Sequence, residues 1–279
     1  MILSVDSMQV YRGMDIGTAK PDAETRERID YRMLDICDPS QDLSVQRFQK
    51  LAREHIAEIL AADGRVIIVG GSGLHFRAVV DPMTFAPTDP TLREDLEAMS
   101  LLELREVLVA ADATAGDHVD LANPRRVVRA VEVWKMTGQT PTQRSMSPEA
   151  NALRRYESYL PFRALGVDAG ESSRMLIETR LARMLDAGFM AEVANLEGRL
   201  GTAAARAVGY REFLGAVRGE VTVKDAFADT LRSTNALVKR QRTFFRRDPR
   251  IEWLTWQDDD RRRVRTAVDG IGETMQWTS

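Results

Sequence analysis

Residues 65–74 read Arg-Val-Ile-Ile-Val-Gly-Gly-Ser-Gly-Leu. The β-branched run Val66–Val69 is continuous rather than alternating, as in a central parallel strand buried on both faces. It breaks into Gly70-Gly71-Ser72-Gly73 and then a second apolar segment, which reads as strand, glycine turn and helix. Upstream, Val45, Phe48, Leu51, Ala52, Ile56, Ile59 and Leu60 recur at helical spacing over 44–62. Ser44 fits an N-cap there, and Gly64 a C-terminal stop. Ile2-Leu3-Ser4-Val5 is a short apolar run suited to a buried strand, and a polar loop from Ser7 to Pro21 follows it. Strand, helix, strand, glycine turn, helix is an α/β pattern.

From Pro87 the pattern turns all-helical. Asp89-Pro90 starts one helix, Ser100-Leu-Leu-Glu103 opens another as a capping box, and Asn123-Pro124 starts a third that stops at Gly138. The Thr-, Ser- and Pro-rich stretch 137–150 reads as a linker or exposed loop. These features predict a helical subdomain over 88–150, inserted into an α/β core of 1–87 and 151–279. A strand at 159–167, helices near 172–187, 189–199 and 222–246, a strand at 251–255 and a last helix complete the reading.

The chain of 279 residues, 44% hydrophobic and 29% charged, suits a soluble globular protein and excludes a disordered or disulfide-built one. Its single cysteine, Cys37, forms no internal bridge, which points to the cytoplasm. Arg65, Arg77 and Asp81 interrupt the best apolar runs, so no spanning helix is expected. The net charge of −3 argues against a general nucleic-acid coat. Cations are nevertheless concentrated in 239–250, with six against Asp248 alone, and in 124–129, with three. Such patches serve an anionic partner or are simply solvated helix surface.

Asp6 falls where the first strand ends, and Ser72 at the equivalent end of the next. In open parallel sheets ligands bind in the crevice beyond the strands' carboxyl ends. A carboxylate there accepts a proton or serves as ordinary turn chemistry. Glycines beside Ser72 let a substrate approach the backbone, although such turns are common. The histidines, His55, His75 and His118, have no metal-site spacing, and no hydrolase triad is evident.

The block Asp6-Ser-Met-Gln-Val-Tyr-Arg-Gly-Met-Asp-Ile-Gly-Thr-Ala-Lys-Pro21 closely resembles the tRNA dimethylallyltransferases (tRNA isopentenyltransferases), which share ancestry with P-loop kinases. The likeness continues through Leu34-Asp35-Ile36, Asp38-Pro39, Val69 to Leu74, Asp89-Pro90 and Pro124-Arg125-Arg126 with Arg129 to Val133. It resumes at Ile177-Glu178, Arg180, Met184, Gly188, Val208 to Arg211 and Lys239-Arg240-Gln241 with Thr243 and Arg246. The resemblance implies a P-loop-kinase-like parallel sheet and transfer of a dimethylallyl group from its diphosphate to N6 of the adenosine immediately 3′ of a tRNA anticodon. It places the catalytic base at Asp6, a hydroxyl at Ser72 where the family has threonine, and a diphosphate-binding arginine at Arg180. It places tRNA contacts at Asp6, Ser7, Met8, Gln9, Ser72, Arg93, Arg125, Arg126, Val127, Val128, Arg129, Arg206, Ala207, Val208, Gly209, Tyr210 and Arg211. It also implies magnesium, nucleotide (ATP-type) binding ancestry and a cytoplasmic enzyme; nothing in the residues demands more than a monomer. Arg125 stands where the family usually has glutamine, and Leu176 where it often has a second arginine.

Relatives open with a strand, a Walker-type loop G-x-x-x-x-G-K-S/T and a helix ahead of the strand at 2–5. No such motif occurs here; Gly13 to Lys20 echoes one with the wrong spacing. Either the biological start lies upstream, or the chain is natural as written and at best binds tRNA. The 279 residues alone are therefore expected to show little transferase activity, and unpaired strand edges are expected to lower their solubility. Two other readings stay open: a non-catalytic tRNA-binding protein, and an adenylate isopentenyltransferase acting on free nucleotide.

Overall fold

The computed structural model describes residues 1–257 and 259–275. In chain order the first elements are β1 (Ile2–Ser4), α1 (Ala23–Arg28), β2 (Tyr31–Arg32), α2 (Val45–Ala61), β3 (Ile67–Val69) and α3 (Gly73–Val80). Helices α4 (Pro90–Glu97), α5 (Leu101–Ala111), α6 (Pro124–Thr137), α7 (Pro141–Ser145) and α8 (Pro148–Arg154) follow. The chain continues through β4 (Ala164–Val167), α9 (Ser173–Asp186), α10 (Phe189–Leu196) and α11 (Tyr210–Val217). It ends with α12 (Val223–Phe245), β5 (Ile251–Leu254) and α13 (Asp260–Met275). The class is α/β.

Local chemistry explains most helix starts. Ser44, Asp89, Ser100 and Asn123 each accept a backbone N–H from inside the first turn, and Glu103 completes the capping box at Ser100. Gly138 ends α6 in the left-handed region at φ 71°, where a side chain would be strained. Three details depart from the sequence reading. Residue 63, not Gly64, takes the left-handed turn after α2, since Asp63 has φ 54°. Strand β4 is confined to Ala164–Val167, because only these residues find a partner strand. The stretch 137–150 is no linker: Thr140 and Ser147 cap α7 and α8, each with proline at the first helical position.

Strand β1 lies between β2 and β3, parallel to both, with Ser4 opposite Val69. Strands β4 and β5 form a second parallel pair, with Val167 opposite Leu254. Backbone contacts divide the chain into Met1–Val80 with the residues from Leu160 onward, and a separate unit Asp81–Tyr159. The first unit buries Leu3, Val5, Tyr11, Met14, Phe48, Phe189, Tyr210 and Phe213 in one core. The second closes its own core with Leu96, Leu104, Leu108, Val127 and Val131. Within the first unit, β3 and β4 both border an apolar cavity of about 680 Å³, shared with Phe76, Phe162, Phe245 and Trp253. No described helix is long and apolar enough to cross a membrane.

Candidate active site

Two adjacent strand ends build the site. The register of β1 on β3, continued by the bond from Val5 N–H to the Val69 carbonyl at 2.8 Å, carries Asp6 and Gly70–Ser72 out of the sheet side by side. Gly70 is required for this approach: a Cβ there would sit 2.7 Å from the Val5 carbonyl. The Gly71 carbonyl accepts from Gln241 Nε2 at 2.9 Å, which ties the turn to α12.

Asp6 is half-buried, and its Oδ1 accepts the backbone N–H groups of Met8 (2.7 Å) and Gln9 (3.2 Å). Among the described residues nothing donates to Oδ2, so one carboxylate oxygen is open to a substrate hydrogen. Gln9 does not face outward for recognition alone. Its Nε2 donates to the Thr18 carbonyl at 3.0 Å, and its Oε1 accepts from the buried Ser4 hydroxyl at 2.8 Å. The loop after β1 is therefore closed on itself beside the strand end.

Ser72 precedes α3, and its Oγ lies 2.7 Å from His75 Nδ1 one turn on. His75 packs edge-on against Phe48 with ring centroids 4.6 Å apart. Burial pulls the imidazole pKa below its ordinary value, while the nearby negative charge of Asp6 pushes it up. Asp6, Ser72 and His75 thus share one electrostatic neighbourhood. His75 was missed from the sequence, although its spacing from Ser72 on a helix start was a usable signal.

The far end of the loop is held by a residue with no motif to announce it. Glu192 on α10 accepts the backbone N–H groups of Asp15 (2.9 Å), Ile16 (2.7 Å) and Gly17 (3.0 Å), and the Tyr210 hydroxyl at 2.5 Å. Burial, then the Glu192 carboxylate, raise the Tyr210 pKa. Lys20 is almost fully enclosed and spends its ammonium on the Tyr11 carbonyl, Asp15 and Asp35. It is a brace for the loop, not a phosphate-binding lysine.

The other sequence-predicted residues are spread over both units. Arg180 is exposed on α9, and no hydrogen bond or ion pair joins it to Asp6 or Ser72. Ser7 and Met8 are half-buried beside Asp6, and Val208 is half-buried before α11. Arg206 is exposed, while Arg211 is bound to Glu212 and Ser233. The side chains of Val127, Val128, Ala207 and Tyr210 lie in the cores, and Gly209 is buried too; burial removes these side chains from any RNA surface. Arg125 and Arg126 project from the first turn of α6, whereas Arg93 and Arg129 are bound to the buried Glu132. Of the basic 239–250 stretch, Arg242 and Arg246 pair with Asp168, and Arg250 pairs with Asp248.

Among the described residues no three His, Cys, Asp or Glu side chains converge, so they form no magnesium cage by themselves.

The IPP transferase family profile matches residues 9–248. The chain is 41% identical over 259 residues to the tRNA dimethylallyltransferase of Bifidobacterium animalis subsp. lactis (strain AD011), covering 91% of this chain and 73% of that one. It is 40% identical over 268 residues to the tRNA dimethylallyltransferase of Streptomyces coelicolor, covering 93% and 83%. The full-length tRNA isopentenylpyrophosphate transferase of Bacillus halodurans superposes with a TM-score of 0.68 at 30% identity, over 99% of this chain and 88% of that one. A eukaryotic dimethylallyltransferase acting on tRNA superposes with a TM-score of 0.75 at 20% identity, over 98% and 73%, a likeness of fold. With the profile running from the loop after β1 to the end of α12, the chain belongs to the IPP transferase family.

Proposed function

We propose that the site these residues build serves transfer of a dimethylallyl group from dimethylallyl diphosphate to N6 of the adenosine immediately 3′ of a tRNA anticodon, the 279 residues alone being expected to turn over slowly for want of a Walker-type loop. The observation that carries the reading is the convergence of Asp6, with one oxygen free, and Ser72 at neighbouring ends of β1 and β3.

An adenine amino group is a weak nucleophile. Asp6 Oδ2 accepts an N6 hydrogen as N6 attacks the first carbon of the allyl chain. The N6–C bond forms, the C–O bond breaks, and diphosphate leaves with that electron pair. The proton passes to Asp6 and from there to solvent. Ser72 supplies a hydroxyl to the reacting centre, held in place by His75. Arg180 offers a cation to the departing diphosphate, where charge accumulates. Magnesium, if bound with the diphosphate, would neutralise part of its charge; the described residues offer no three-ligand cage of their own for it.

The target base leaves the anticodon-loop stack to be alkylated, which costs on the order of a few kcal/mol and is offset by contacts along the loop. Arg125 and Arg126, exposed on α6, are suited to the stem-loop backbone. The protein acts as a monomer in the cytoplasm in this reading.

Mass spectrometry of bulk tRNA from a strain deleted for this gene tests the proposal. N6-dimethylallyladenosine next to the anticodon disappears and returns with the intact gene. Its persistence in the deletion strain, or a product found only on free adenylate, overturns the reading.

A further inference from the structure

Ser72 Oγ and His75 Nδ1 meet at 2.7 Å across the first turn of α3, and both are held from outside it. A Cβ on Gly73 would strike the Phe244 ring, so the start of α3 is pressed onto α12. Gln241, also on α12, holds the Gly71 carbonyl just before that turn. From α2, Phe48 meets the His75 ring edge-on at an interplanar angle of 88°. The imidazole cannot turn away from Ser72 without giving up that contact.

Two arrangements of protons give this contact. Either the Ser72 O–H donates to a bare Nδ1, or a protonated Nδ1 donates to Ser72 Oγ. Burial, the larger influence, lowers the imidazole pKa and the charge of Asp6 raises it, which leaves the ring neutral near pH 7 with a single proton. Asp6 is the charged group that bears on the ring, from the end of β1. Helix α2 turns Phe48 to it, while Gln49 and Arg53 of that helix donate to the Ala78 and Val79 carbonyls at the other end of α3. Helix α12 presents Gln241 and Phe244. Nε2 bonds to no described residue and the ring is half-buried, so a proton on Nε2 can be solvated.

The substrate decides which arrangement is useful. An adenine amino group carries two hydrogens. Asp6 offers one open oxygen, because its Oδ1 is taken by the Met8 and Gln9 N–H groups. The second hydrogen needs another acceptor, and the neighbouring strand end supplies Ser72. Ser72 Oγ accepts from the crevice when its own proton points elsewhere, and among the described residues His75 Nδ1 is its partner. A Ser72 proton turned outward would instead meet the amino hydrogens head-on.

We infer that His75 is a positioning residue whose bare Nδ1 accepts the Ser72 O–H, so that Ser72 Oγ faces the crevice as an acceptor and, with Asp6 Oδ2, receives both hydrogens of the attacking amino group. The ring's own proton sits on Nε2. The Ser72 proton stays on its oxygen throughout, and the proton that N6 loses goes to Asp6. The inference rests on an amino group being the nucleophile, as in the function proposed above.

The test is NMR of the histidine ring nitrogens through a pH titration, on the full chain labelled with ¹⁵N-histidine, for the parent, Ser72→Ala and Ser72→Thr. The sequence has three histidines, and His75→Phe identifies the relevant signals by removing them. Near pH 7 the parent's His75 should show a bare Nδ1 and a protonated Nε2. A hydrogen bond into the bare nitrogen favours the neutral ring. Its loss in Ser72→Ala should therefore raise the ring's proton affinity, by about threefold to tenfold for one hydrogen bond. Ser72→Thr keeps the hydroxyl and should keep the parent's tautomer and titration. A protonated Nδ1 in the neutral parent overturns the inference, as does a proton affinity that falls or stays unchanged in Ser72→Ala. This readout needs no turnover, so it is separate from the deletion-strain tRNA measurement that judges the proposed function.

Discussion

Ser72 Oγ and His75 Nδ1 lie 2.7 Å apart at the opening of α3, beside the strand end that carries Asp6. The pair fixes a small hydroxyl that would otherwise rotate freely. Removing the hydroxyl in Ser72→Ala should lower the tRNA modification rate by about a hundredfold, the scale of one lost transition-state hydrogen bond. Ser72→Thr should stay close to the parent rate. His75→Phe keeps a ring against Phe48 but removes the nitrogen, and should fall between the two. Equal rates for His75→Phe and the parent would leave Ser72 without a working partner.

Acid should weaken the protein through Asp168. Burial pushes this carboxyl up, but the Arg242 hydrogen bond, the Gly170 N–H and Arg246 outweigh it and bring it from 3.8 down to about 2. A depressed carboxyl stabilises the fold above its unfolded value, and that contribution is lost as pH falls through the folded value. Asp168→Asn should therefore cost on the order of 2 kcal/mol near neutrality and flatten the loss of stability between roughly pH 4 and 2. Urea denaturation at several pH values reads both effects.

Glu192 organises the loop on which the site depends. Substituting Gln keeps the shape but turns an amide N–H₂ toward donors that need an acceptor. Glu192→Gln should destabilise the protein by about 2 kcal/mol, as expected for buried donors left unpaired. It should also speed proteolysis within residues 12–20 and slow modification. A variant with parent-like proteolysis would show that the loop is held elsewhere.

The edges of β3 and β4 invite association, because Val69 and Val167 are both exposed apolar residues on strands bordering the apolar cavity. The double substitution Val69→Lys, Val167→Lys places a charge on each strand. Light scattering at matched concentration should drop several-fold, and no change would clear these strands of any part in association.

Helix starts were legible in the sequence because caps are local: Ser44, Asp89, Ser100 and Asn123 bond to backbone three residues away. The same grammar stood at Thr140-Pro141 and Ser147-Pro148, where a Thr-, Ser- and Pro-rich composition suggested a loop instead. Strand β2, with two residues, takes its existence from pairing with β1 and has no pattern of its own. Asp6 and Ser72 were legible because parallel strands deliver their ends to one side. Glu192 and Glu132 were not, since most of their partners lie far along the chain. The motifs likewise do not announce that the side chains of Val127, Val128, Ala207 and Tyr210 lie in the cores.

The most direct measurement is the fraction of tRNA carrying N6-dimethylallyladenosine when the deletion strain is complemented with Asp6→Asn at matched protein level. Asparagine preserves the bonds to the Met8 and Gln9 N–H groups through its carbonyl while removing the negative charge. The account predicts at least about a hundredfold slower modification, in line with loss of a general base, with stem-loop affinity within a few-fold of the parent. Modification at the parent rate would contradict it.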